Sequence, residues 1–299
     1  MKKSSSLIFF GSGPVALESL KALNTTYDIE LVITKPKSEK QKDTPLVIAY
    51  AQDHGLEILT CDSSSDLTNK FLTNRHDSTV GVVVDFGIII SQAVIDAFEM
   101  GIVNSHFSLL PKLRGADPIS FALLEGLEET GVSLMQIVEK MDEGPLISQR
   151  AVPILATDTN TTLTAKLITT SNKMLQEDLT KYINHDIIPK PQNNTEYATY
   201  TRKLTKQDSN LDWTKPAKQL EREVRAFIEW PRSKTEINTI PIIVTQSRVN
   251  TFTYPAGSIH TENRSLLIGC SENSLQIEKL IVPGKQEMTA AAFISGYLK

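Results

Sequence analysis

The sequence predicts an α/β protein, a mostly parallel sheet with helices on both faces, joined to a smaller all-β domain near the C-terminus. Three observations carry this reading. Over about the first 110 residues, short apolar β-branched runs alternate with helical patterns, the form taken by parallel strands with crossover helices. Val82-Val83-Val84 is apolar without alternation, which marks a strand covered on both faces. Beyond Pro189-Lys190-Pro191-Gln192-Asn193-Asn194, a stretch of linker type, short strand patterns follow one another with Gly, Asn and Pro turns between them.

In chain order, strands are expected at residues 7–10, 29–34, 57–60, 80–86 and 102–108, with helices at 15–23, 45–54 and 91–98. Pro45 suits a first helical turn and Ser91 an N-cap. Ile88-Ile89-Ile90 is again an unbroken apolar run and is read as a strand end covered on both faces. An alternating run at 132–138 precedes a turn at Met141-Asp142-Glu143-Gly144. Leu163, Leu167, Thr170, Met174 and Leu179 then recur near helical period, predicting a long helix over 161–182 that packs on the sheet. A first, Rossmann-like domain at 1–188, a linker at 189–207 and a second domain at 208–299 follow from this pattern. In the second, a helix at 218–228 shows Leu220, Val224, Phe227 and Ile228 on one face and is stopped by Pro231. Strand patterns at 242–246, 249–253, 265–268 and 275–281 complete an open barrel.

The 299 residues, 40% hydrophobic and 22% charged, have ordinary globular composition, which excludes collagen-like, disordered and coiled-coil classes. A net charge of -4 excludes a polycation that coats nucleic acid through bulk charge. The charge is nonetheless unevenly divided. Residues 1–188 carry 16 Lys/Arg against 24 Asp/Glu, a net of −8, and residues 189–299 carry 15 against 11, a net of +4. A basic second domain suits a polyanionic partner, with an excess of surface lysines as the plainer alternative. Cys61 and Cys270 are far apart with no CxxC spacing, so neither a disulfide framework nor a structural zinc site is encoded. Leu7 to Phe10 is too short for a signal sequence and nothing approaches the roughly 20 apolar residues of a membrane span, so a cytoplasmic protein with no membrane partner is expected.

Gly11-Ser12-Gly13-Pro14-Val15-Ala16 fits the GxGxxG/A dinucleotide fingerprint between a strand and a helix. The second strand, however, ends Thr34-Lys35-Pro36 without the acidic residue that a ribose needs, and a tight strand–helix turn explains the glycines equally well. The strongest chemical signal is Asn104-Ser105-His106-Phe107-Ser108-Leu109-Leu110-Pro111, at the carboxyl end of a strand, where open α/β sheets bind ligands. Asn104 and His106 are two apart and share one strand face, which offers an amide and an imidazole donor to a developing oxyanion. Asp142, in the turn after another strand, can supply the carboxylate that orients His106 and favours its charged form. Together the three make a site for acyl transfer, although strand-end Asn and His also cap backbone and Asp before Gly also makes turns. Ser108 lacks a GxSxG elbow, and His54, His76, His185 and His260 lack metal-ligand spacing, so no metal is expected.

On these residues the chain resembles the folate-dependent formyltransferases, whose signature N-x-H-x-S-L-L-P is followed by an aromatic-RG-small stretch and a D-x-G turn. Here these read Asn104 to Pro111, Leu113-Arg114-Gly115-Ala116 and Asp142-Glu143-Gly144. Further matches at Phe10-Gly11-Ser12, Thr130-Gly131-Val132, Leu211-Asp212-Trp213 and Arg225-Ala226-Phe227 with Trp230-Pro231 point to the members of the family that formylate charged initiator methionyl-tRNA. The resemblance implies 10-formyltetrahydrofolate as co-substrate and initiator methionyl-tRNA as acceptor. It places Asn104, His106 and Asp142 in the catalytic positions, and Phe86, Gly87, Ile88, Ile89, Ser108, Leu109, Leu110 and Pro111 around the folate. It implies an OB-like C-terminal domain that contacts tRNA, and a basic loop after the second strand that reaches the acceptor arm. The tRNA contacts are then expected at Lys35, Lys37, Lys40, Lys42, Arg202, Lys203 and Lys206. Leu113, Phe107, Asp85 and Asp117 depart from the usual pattern, and the loop is lysine-rich instead of arginine- and glycine-rich. A sugar-nucleotide N-formyltransferase using the same donor is the alternative, and a catalytically idle RNA-binding module is a third reading, disfavoured by the intact Asn-His-Asp set. A monomer is expected.

Overall fold

The computed structural model describes residues 5–39 and 42–298. The chain divides into two compact units that interleave in sequence: residues 1–115, 130–152 and 165–200 form one, and 116–129, 153–164 and 201–299 the other. The division expected at 188/189 does not coincide with this one, and the expected linker 189–207 is itself divided at 200/201.

The first unit is built on strands β1 (Ser6–Gly11), β2 (Asp28–Thr34), β3 (Ile58–Thr60), β4 (Gly81–Val84) and β5 (Ile102–His106), with α1 (Gly13–Thr26), α2 (Leu46–Asp53), α3 (Ser64–Leu72) and the single turn α4 (Gln92–Ile95) between them. The chain continues through β6 (Arg114–Gly115), α5 (Pro118–Leu124), β7 (Glu129–Gln136), β8 (Leu146–Pro153), the long α6 (Asn160–Ile183) and β9 (Tyr200–Thr201). The sheet order is β3-β2-β1-β4-β5-β7-β8, parallel through β5, with β7 antiparallel to β5. Chain order therefore reverses between β1 and β4, the position where open α/β sheets bind ligands at the carboxyl ends of their strands. Leu7, Ile8, Phe9 and Phe10 are all fully buried although alternate residues face opposite sides, so both faces of β1 are covered. On one face Phe10 meets Phe86 and Phe98 edge-on, with ring centres 5.7 and 6.1 Å apart. Truncating such a ring typically costs ~3–5 kcal/mol.

The glycines after β1 serve packing. A Cβ on Gly11 would lie 2.7 Å from the Ala16 Cβ and 2.6 Å from the Phe9 ring, so helix α1 approaches the strand only because that side chain is missing. The turn's polar groups are spent within the sheet: Ser12 N–H donates to Asp85 O at 3.0 Å, and its hydroxyl accepts from Lys35 N–H at 3.1 Å.

Two expectations are corrected here. Ile88-Ile89-Ile90 lies outside any strand, with Ile89 75% exposed, because β4 ends at Val84 and the chain turns through Asp85 and Gly87, both at positive φ. The runs at 242–246 and 249–253 are not two strands but belong to one, β11, which ends at Asn250 and whose pairing slips between Val244 and Ser247. The slip changes which face the side chains meet, and it mimics a break in the pattern.

The second unit contains α5 together with α7 (Ala217–Ala226), β10 (Ser233–Ile237), β11 (Ile240–Asn250), β12 (Ile259–Glu262), β13 (Ser265–Gly269), β14 (Ser274–Ile281), β15 (Met288–Thr289) and α8 (Ala290–Tyr297). Its strands form an antiparallel sheet of order β10-β11-β14-β13-β12, with β15 on β14, as expected of a small β-domain. Leu220 and Val224 of α7 pack on Ile242, Ile277, Leu280 and Phe293. Among the described residues no helix is long and apolar enough to cross a membrane.

Candidate active site

β5 delivers two side chains to the carboxyl end of the sheet. Asn104 pairs with Val83 of β4 and Met135 of β7, and His106 with Ser133. The two side chains share one strand face, while Ser105 turns to the other and its hydroxyl meets that of Ser171 at 2.7 Å. His106 is 7% exposed, and its two ring nitrogens face different partners at different distances. Nε2 donates to the Leu113 carbonyl at 2.9 Å, and Nδ1 lies 3.7 Å from Asp142 Oδ2. The half-buried Asn104 carboxamide is claimed by no side-chain hydrogen bond among the described residues, which leaves its N–H groups for a ligand.

Asp142 is 12% exposed and sits at φ 54, a left-handed conformation uncommon outside glycine. Its turn is held at several points. Gly115 N–H donates to Asp142 Oδ2 at 2.7 Å. The Gln192 amide donates to the carbonyls of Asp142 and Gly144 at 2.7 and 3.0 Å and accepts from Arg114 Nη2 at 2.7 Å. Arg114, 3% exposed, also reaches Glu143 Oε1 at 3.1 Å and donates to the Tyr200 hydroxyl. Thr199 accepts from the N–H of Leu113 through its hydroxyl and from that of Arg114 through its carbonyl, both at 2.9 Å.

The expected folate residues fall into two groups. Phe86 is buried in the core against Phe10, whereas Gly87, Ile88 and Ile89 form an open loop beside the switch point between β1 and β4. Ser108 is buried and its hydroxyl donates to Lys112 O at 2.6 Å. Ser133 ties the same turn together, donating to Ser108 O at 2.6 Å and accepting from Leu110 N–H at 3.1 Å, with Leu109 and Pro111 half-buried beside it.

Of the expected tRNA contacts, Lys35 is exposed and its ammonium lies 2.8 Å from where a side chain on Gly87 would begin, at the switch point itself. Lys37 donates to Lys42 O at 2.7 Å, and Lys40 lies outside the described residues. Arg202 is paired with Asp208, and this guanidinium holds the Asp208 carboxyl well below the usual carboxylate range. Lys203 and Lys206 are exposed. Among the described residues no cluster of three or more His, Cys, Asp or Glu is arranged to hold a metal ion.

Sequence reasoning missed Arg114, Gln192 and Thr199. The first lay in plain view within Leu113-Arg114-Gly115, but Gln192 stood in a Pro- and Asn-rich stretch that reads as linker.

The formyl transferase family model matches residues 7–179, and the model of the formyl transferase C-terminal domain matches residues 203–298. The chain is 34% identical to the methionyl-tRNA formyltransferase of Pseudomonas paraeruginosa, over 95% of this chain and 94% of that one. It is 32% identical to the same enzyme of Pseudoalteromonas translucida, over 97% and 93%. In fold it is similar to the N-formyltransferase of Helicobacter canadensis, with a TM-score of 0.71 and 19% identity over 92% of this chain and 99% of that one. With the Asn-His-Asp arrangement in its first unit and both family domains matched in order, the chain belongs to the formyl transferase family, among the methionyl-tRNA formyltransferases.

Proposed function

We propose that the protein transfers the formyl group of 10-formyltetrahydrofolate to the α-amino group of methionine on charged initiator tRNA. The observation that carries this reading is similarity to methionyl-tRNA formyltransferases along nearly the whole chain, N- and C-terminal domains alike. The site supports it. The folate supplies an activated formyl amide, so no covalent enzyme intermediate is required. The open backbone at Gly87 to Ile89 and the apolar side chains of Ile88 and Ile89 suit a flat, hydrogen-bonding ring placed at the switch point.

The Asn104 carboxamide and the Nδ1–H of His106 in its imidazolium form are the donors for the negative charge that develops on the formyl oxygen as the α-amine attacks. Nε2 is committed to Leu113 O, which fixes the ring orientation and leaves Nδ1 as the nitrogen that works. The 3.7 Å between Nδ1 and Asp142 Oδ2 is longer than a hydrogen bond, so the Nδ1–H is not spent on the carboxylate and can turn to a substrate or water oxygen beside it. As the α-amine bonds to the formyl carbon, Asp142 holds the imidazolium and orients a water that takes the amine proton; collapse of the tetrahedral adduct then breaks the bond to the folate N10, which takes up a proton and leaves as tetrahydrofolate. The basic balance of residues 189–299 and the lysines at 35, 37 and 42 support an RNA acceptor.

The test is transfer of radiolabelled formyl from 10-formyltetrahydrofolate to three acceptors in parallel: charged initiator methionyl-tRNA, uncharged tRNA with free methionine, and an amino-sugar nucleotide. Label on the charged tRNA alone is expected. Label on the sugar alone would keep the chemistry and overturn the acceptor, and label on none would overturn both.

A further inference from the structure

We infer that Gln192 is a positioning residue for the Asp142 turn, acting on catalysis through Asp142; the inference rests on the catalytic reading of Asp142 given above. The turn needs an external hold. Asp142 occupies a left-handed conformation, which carries a steric cost for any residue but glycine, and bonds from outside the turn offset that cost. Gln192 supplies that hold from a distant point in the chain. Its amide nitrogen spans two carbonyls of the turn, those of Asp142 and Gly144, and its amide oxygen is fixed by Arg114. Both Gln192 and Arg114 are buried, which shields these three bonds from bulk water.

The arrangement closes on the histidine from both sides. Arg114 is flanked by Leu113, whose carbonyl receives His106 Nε2–H, and by Gly115, whose N–H holds the Asp142 carboxylate. One segment thus sets both partners of the imidazole, and Gln192 joins that segment to the turn. Gln192 touches neither reacting group, and its effect runs through the placement of Asp142 Oδ2 relative to Nδ1. A displacement of about 1 Å at a reacting group is enough to cost on the order of a hundredfold in rate.

The experiment is a double-mutant cycle on the full-length protein with formyl transfer as readout, using Gln192→Met and Asp142→Asn alone and together. Gln192→Met is expected to lower kcat about tenfold or more, with KM for the folate donor and for charged tRNA within about threefold. In the Asp142→Asn background the same change is expected to lower kcat by less than about twofold, because the group it positions is already gone. A fully multiplicative double mutant, or an unimpaired Gln192→Met enzyme beside an impaired Asp142→Asn enzyme, would overturn the positioning role alone. An unimpaired Asp142→Asn enzyme would overturn the catalytic reading and this inference with it. Gln192→Glu covers the case in which the methionine variant does not fold. Its carboxylate keeps the bond to Arg114 but has no proton for the two turn carbonyls, so kcat should fall as in Gln192→Met, and full activity would show that anchoring Arg114 is all the residue does.

Discussion

His106 Nδ1 and Asp142 Oδ2 face each other at 3.7 Å, while Nε2 of the same ring is bonded to the Leu113 carbonyl at 2.9 Å. The ring is therefore clamped at one nitrogen and only loosely met at the other. That asymmetry leaves the Nδ1 edge as the one open to a substrate, on the strand face that His106 shares with Asn104. Replacing His106 with Ala should lower kcat at least about a hundredfold, the usual effect of removing one oxyanion donor. Single-turnover transfer with saturating donor measures this directly, and near wild-type turnover would remove His106 from the mechanism.

Gly144 allows the Asp142 turn to lie against β7. A Cβ at this position would sit 1.7 Å from the Gln136 carbonyl oxygen and 2.9 Å from its carbon, so the obstacle is backbone and no side chain can relieve it by moving aside. Gly144→Ala should displace the turn, lower kcat more than tenfold and destabilise the fold by ~1–3 kcal/mol, the usual range for overpacking. Chemical denaturation and steady-state kinetics on the same preparation test both parts.

Neutralising Lys37, Lys40 and Lys42 together should weaken tRNA binding and flatten its dependence on salt, with the slope falling by roughly 0.7–0.9 for each phosphate that the protein no longer neutralises. Folate affinity should not change. An unchanged slope would take this loop off the RNA.

Burial alone would raise the pKa of Glu30, but the Ser78 hydroxyl and the N–H groups of Asp77 and Ser78 donate to its carboxylate and His76 lies 3.5 Å away, so the net shift is downward. A carboxyl depressed in the folded state binds its proton more readily when unfolded. Its contribution is then fully present above the ordinary value of 4.5 and is lost as pH falls through the lower, folded value. The stability difference between wild type and Glu30→Gln should be constant near neutral pH and shrink below about pH 4.5. Denaturant midpoints for the two proteins over pH 3–7, a range set on the order of the ordinary carboxyl values, would show it.

Cys61 is buried, and burial, followed by the nearby Asp66 charge, pushes its thiol up to about 11. Burial raises the Cys270 thiol as well. Only the thiolate reacts, so the native protein should resist iodoacetamide at about pH 8 and take two labels once denatured. Intact mass before and after denaturation counts them.

Most of the parallel sheet was legible because its signals are local. Four fully buried apolar residues in a row at Leu7 to Phe10, and three buried valines at Val82 to Val84, leave few options except a strand covered on both sides. Asn104 and His106 were legible for the same reason, since their relation depends only on the two-residue repeat of one strand. Helix α3 was missed because its two buried anchors, Leu67 and Phe71, stand among polar residues, and β8 because its inward positions are sparse. Ile88 to Ile90 misled because apolar composition does not distinguish a buried strand from a loop whose Ile88 and Ile90 lean on the core while Ile89 points outward.

Local sequence thus determined the strand that carries Asn104 and His106, the presence of a turn at Asp142, and the close approach of α1 to β1 at Gly11. Tertiary structure alone decided that Asp142 faces Nδ1 and not Nε2, and that a stretch resembling a linker reaches back through Gln192 and Thr199 to hold both partners of the histidine. Those bonds join residues dozens of positions apart, and no periodicity or local propensity encodes them. They exist because buried polar groups must find partners wherever the folded chain brings one within reach.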